Sequence, residues 1–143
     1  PERVLTKLLS SACPSEVEDL MRKHWHRMNG IHLVAALHNV AKAHSVNKDH
    51  KLLASVRAEL LKKLQGSVDS LDARGISVSL WSVAKLQLAP DVEFLADFDA
   101  KVLAGLATFT HHDLSQTVWA LANLGHCPSQ DWWSCFDASA LRA

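Results

Sequence analysis

A tryptophan-centred segment recurs in this chain at a fixed spacing, and that recurrence limits the possible folds more than any other feature. Residues 76–90, ISVSLWSVAKLQLAP, align without gaps on residues 114–128, LSQTVWALANLGHCP. Leu80 meets Val118, Trp81 meets Trp119, Ala84 meets Ala122, Leu86 meets Leu124 and Pro90 meets Pro128, each pair 38 positions apart. Self-similarity at such a period is the mark of stacked supersecondary units, each unable to bury its apolar face alone. The match extends upstream, Leu71-Asp72 against Phe109-Thr110, and downstream, where Phe94 meets Trp132. A degenerate earlier copy runs from Met28 to Asn47 at an offset of 43, with Asn29 facing Asp72, Leu37 facing Leu80 and His38 in the tryptophan slot.

Each copy reads as two helices. Asn29, Asp72 and Thr110 stand where a side-chain oxygen satisfies an orphan N–H at a helix start. Leu114, Val118, Leu121 and Gly125 then follow at helical spacing as a buried stripe. Pro90 and Pro128 mark the second helices, expected over about 91–107 and 129–142, with Asp91, Glu93 and Asp131 near the positive end of the dipole. In the first copy Lys48–Gln65 is the partner, with Leu52, Leu53, Val56, Leu60, Leu61 and Leu64 on one stripe and Gly66 at its end. Upstream, Arg3–Ser11 and Ser15–Arg27 read as two more helices, the second opened by a Ser15/Glu18 capping box. The expected fold is all-α: an α-solenoid of about three helix-pair repeats (28–70, 71–108 and 109–143) with two extra N-terminal helices in residues 1–27, either a cap or a preceding repeat.

Composition narrows the class. The 143 residues suffice for one domain with a core, and Gly (5) and Pro (4) are too scarce for disorder or a loop-rich β fold. Charged residues or histidine interrupt every apolar run short of bilayer length, so no membrane span is expected. The chain opens on Pro1 rather than Met and reads as a mature product or part of something longer, in which any targeting segment would be invisible. Cys13, Cys127 and Cys135 have no framework spacing and are expected to be buried free thiols of a reducing compartment. The net charge of zero hides an asymmetry. Residues 1–65 hold eleven Lys and Arg against six Asp and Glu; residues 66–143 hold four against nine. Six of the nine histidines also fall in the basic half, where an anionic partner would sit.

The segments LWSVAKLQLAPDVEF and VWALANLGHCPSQDW resemble octotricopeptide repeats, helix pairs of this length with a leucine-tryptophan core and a proline turn before an aromatic residue. FAST-kinase-like and RAP-domain repeat proteins carry similar segments. The last two copies match well. The first departs, with His38 for Trp and residues 47–51 for the proline turn. The resemblance implies an RNA-binding protein of an organelle, a mitochondrion or alternatively a chloroplast, with membership of a mitochondrial ribosome in contact with rRNA as one form of that role; the absence of a catalytic motif makes a non-catalytic protein the expectation.

On the first helices, 100° steps place His112, Gln116, Trp119 and Asn123 opposite the apolar stripe. Their equivalents are Arg74, Val78, Trp81 and Lys85, then Ile31, Ala35, His38 and Lys42. His38, Lys42, Arg74, Lys85, His112, Gln116 and Asn123 are the candidate RNA-binding residues, suited to phosphates and splayed bases. Trp81 and Trp119 are read as packing between neighbouring first helices, Trp132 as core, and Trp133 as cover for a following repeat or a partner. A rival reading is a protein scaffold whose acidic second helices, with Asp91, Glu93, Asp97, Asp99, Asp131 and Asp137, dock basic proteins of a larger complex. His111, His112, His126, Cys127 and Cys135 lack paired-ligand spacing, so no metal is expected; no cofactor or catalytic motif is legible either.

Overall fold

The computed structural model describes residues 2–44 and 57–142. They fold into eight α-helices: α1 Glu2–Ser11, α2 Pro14–His24, α3 Gly30–His44, α4 Arg57–Gly66, α5 Ala73–Lys85, α6 Val92–Gly105, α7 His111–Asn123 and α8 Gln130–Arg142. The described residues contain no strand. Residues 48–56 of the expected Lys48–Gln65 helix, with Leu52, Leu53 and Val56, lie outside the described residues. None of the described helices is long and apolar enough to cross a membrane.

The helix starts follow from their caps. Thr110 Oγ1 accepts from Asp113 N at 3.1 Å, while Thr110 N donates to Asp113 Oδ2 at 3.0 Å. Asn29 and His32 form the same reciprocal pair at the start of α3, with His32 Nδ1 as the returning acceptor. Asp72 makes half of it, because the residue three on is Gly75. Apolar residues one place before and four places after each cap (Met28 and Leu33, Leu71 and Ile76, Phe109 and Leu114) are all buried, as a hydrophobic staple requires. A 3₁₀ turn precedes each staple, at Trp25–Arg27, Val68–Ser70 and Leu106–Thr108. Hence α2 leaves toward α3 as α4 leaves toward α5 and α6 toward α7. Gly30 lets α3 close on the second of these turns: a Cβ there would stand 2.9 Å from that of Ser67.

Several expectations are corrected. α2 opens at Pro14 with Cys13 as its N-cap residue and no side-chain cap bond; Glu18 accepts instead from Arg22 at 2.7 Å, so Ser15/Glu18 is not a capping box. Gly125 is exposed and belongs to no helix: α7 ends at Asn123, and Gly125 takes φ +68° in the turn toward α8. The equivalent turn after α5 puts Gln87 at φ 53°. Val118 is partly rather than fully buried. All three cysteines are free but exposed, because they fall on turns and on the outer side of α8.

The odd-numbered helices pack in sequence, α1 on α3, α3 on α5 and α5 on α7; α4 packs on α6 and α6 on α8. The core runs between them through Leu9, Leu33, Leu37, Leu64, Leu80, Leu121 and Phe98. Phe94 and Phe98 stack at 4.4 Å in α6, and Trp132 and Phe136, 38 positions on, stack at 5.0 Å in α8. Trp132 is 1% exposed, and its Nε1 donates to the Asp99 carbonyl at 3.0 Å. Trp133, beside it, is partly buried against the core.

Candidate nucleic-acid interface

The packing of α3, α5 and α7 brings together the slots nine and thirteen places after each cap. His38 and Trp81 meet edge to face at 5.6 Å between ring centroids, and Trp81 and Trp119 meet tilted at 6.5 Å. The three rings thus form a row across three neighbouring helices. Lys85 extends one turn beyond Trp81, and its ammonium lies 5.7 Å from the Trp81 centroid and 5.3 Å from that of Trp119. A cation shared between two indole faces is attracted by both quadrupoles. Trp119 is 40% exposed, so the row combines inter-helix packing with an indole that reaches the surface.

Lys42 and Arg74 complete a cationic border. Both are exposed. Burial first, then the charges of Lys42 and Arg74, hold the His38 imidazole below its ordinary value. His38 is therefore kept neutral beside two cations, an arrangement that an incoming anion would relieve. Asn123 is exposed and donates from Nδ2 to the Trp119 carbonyl of its own helix at 2.8 Å. His112 lies apart, lining an open cleft of about 690 Å³ at the starts of α5 and α7 with Arg74 and Lys101. Asp72 and Asp113 share that cleft, so its charge is mixed. Gln116 turns inward, its Oε1 buried without a partner. Of the seven expected residues, His38, Lys42, Arg74 and Lys85 gather about the ring row, Asn123 adjoins it on α7, and His112 and Gln116 do not join it. Trp81 and Trp119 belong with the first group. Their signal in the sequence was Lys85, one turn from Trp81 and on its face.

The acidic side also needs one correction. Asp91, Glu93, Asp97, Asp131 and Asp137 are exposed on or beside the even-numbered helices, but Asp99 is not a free surface charge. It lies 2.6 Å from His126 Nε2. Burial raises its carboxyl above the usual range, against the opposing hydrogen bond and charge of His126. The described residues contain no group of three or more potential metal ligands.

These elements define an all-α protein whose eight described helices pack on one another, with aromatic and cationic side chains aligned across three of them. No family model, characterised protein or solved structure matches the chain.

Proposed function

We propose that this chain is a non-catalytic RNA-binding α-solenoid. The observation that carries the reading is the Lys85 ammonium between the Trp81 and Trp119 rings, bordered by His38, Lys42 and Arg74. Single-stranded nucleic acid is held by this pairing of chemistries, with cations for the backbone and π-faces for the bases. Successive packing of odd-numbered helices and three matching 3₁₀ exits support four helix pairs rather than three, with α1 and α2 as the first. The resemblance of the tryptophan segments to octotricopeptide repeats favours an organellar protein, mitochondrial before plastid, with a place in a ribosome as one form of that role. The exposed acids of the even-numbered helices favour a protein scaffold as a second role on another face.

Filter binding of single-stranded RNA at two salt concentrations tests the reading. If Lys42, Arg74 and Lys85 each meet one phosphate, the logarithm of the affinity falls against the logarithm of salt with a slope of about −2. Lys42→Glu/Lys85→Glu should abolish binding; binding that ignores salt, or that survives this variant, contradicts the assignment.

A further inference from the structure

We infer, on the RNA-binding reading above, that the cleft of about 690 Å³ at the starts of α5 and α7 takes the phosphorylated terminal nucleotide of the RNA strand. The cleft lies within the chain, between α5, the end of α6 and α7, and its volume falls within the roughly 300–1,000 Å³ of small-molecule sites. Leu71, Ile76 and Phe109 give it apolar walls, while Arg74, Lys101 and His112 line it with donors. Arg74 links it to the ring row. The same guanidinium acts on His38, and seven residues of α5, about 10 Å at the helical rise, separate Arg74 from Trp81.

The donors stand ready for an anion. Among the described residues the ion pairs are Arg22–Glu18, Lys101–Asp69 and His126–Asp99, so neither Arg74 nor His112 holds a carboxylate. Lys101 is loosely engaged: its Nζ lies 3.3 Å from the Asp69 carbonyl and 3.9 Å from Oδ1 of that exposed residue. Its counterpart 38 positions earlier, Lys63, is committed, donating to the Trp25 carbonyl at 2.8 Å with its ammonium 4.6 Å from the Trp25 ring centroid. The carboxylates of the cleft are occupied. Asp72 Oδ1 accepts from Gly75 N at 2.7 Å, and buried Asp113 accepts from Thr110 N and Ser77 Oγ. Both stand at helix starts, whose backbone offsets about half an elementary charge each. Arg74 and Lys101 therefore leave the cleft with a positive surplus. A terminal phosphate suits it better than a bridging one, because a monoester carries close to two charges at neutral pH and presents three acceptor oxygens, one for each donor group.

A nuclear magnetic resonance titration with a nucleoside 5′-monophosphate locates the site. The amide signals of Arg74, Lys101 and His112 should shift saturably and further than the Trp119 indole, and the unphosphorylated nucleoside should bind at least about tenfold more weakly. Lys101→Gln and His112→Gln, both outside the ring row, should each weaken mononucleotide binding with an unchanged helical circular-dichroism signal. In filter binding, a short RNA phosphorylated at one end, 5′ or 3′, should bind about tenfold more tightly than its hydroxyl-ended form. Lys101→Gln should erase most of that preference. Mononucleotide shifts that spare the cleft overturn the site, and so does a preference that Lys101→Gln leaves undiminished. Equal affinity for both kinds of end sinks the terminal-nucleotide assignment alone, whereas mononucleotide binding without any RNA binding sinks the RNA-binding reading with it.

Discussion

His38 is the side chain whose chemistry depends most on its neighbours. Its proton affinity is depressed by burial and by Lys42 and Arg74, so it contributes stability above about pH 6.5 that is lost as pH falls through the lowered value. Chemical denaturation across that range should show His38→Gln losing less stability on acidification than the wild type. A bound phosphate reverses the sign, since it favours the charged imidazole. RNA affinity should therefore strengthen on mild acidification, more in the wild type than in His38→Gln, and proton uptake by calorimetry checks it. Backbone conformation gives a second residue-scale prediction. Gly125 and Gln87 occupy the same left-handed turn position, which costs a side-chain-bearing residue about 1 kcal/mol. Gly125→Ala should lower, and Gln87→Gly raise, the unfolding free energy by about that amount. None of this was legible beforehand: the sequence aligned Gln87 with Gly125, but extending the apolar stripe through Gly125 hid the turn.

At the scale of helices, tryptophans in related slots do different work. Trp132 is sealed against Phe136 and tied to the Asp99 carbonyl, so Trp132→Ala should cost about 3–5 kcal/mol in denaturant unfolding. Trp119 is 40% exposed, and Trp119→Leu should cost clearly less. Thr110→Ala removes one half of a reciprocal cap and should cost about 1 kcal/mol. Caps, the proline turns and the core status of Trp132 were readable because each rests on local chemistry at a repeating position. The capping box assigned to Ser15 failed because the helix starts at Pro14 with Cys13 as its N-cap residue, two positions before Ser15. The buried thiols failed because burial follows helix rotation and turn placement, and three cysteines without a periodic pattern reveal neither.

For the whole molecule, the sequence shows which residues repeat but not which neighbour each repeat faces. That needs the packing of α1 on α3, α3 on α5 and α5 on α7. The placing of His38 beside Lys42, Arg74 and Lys85 followed from register, whereas the inward turn of Gln116 and the position of His112 in the cleft depend on helix rotation. The central claim is that Trp119 and Lys85 form an open stacking face for single-stranded RNA, and tryptophan fluorescence in a titration with a short single-stranded RNA tests it most directly. Binding should quench the wild-type emission, and Trp119→Leu should remove most of that quenching and weaken affinity about tenfold or more, within the usual contribution of one stacked base. Unchanged affinity and unchanged quenching in a folded Trp119→Leu protein would contradict it.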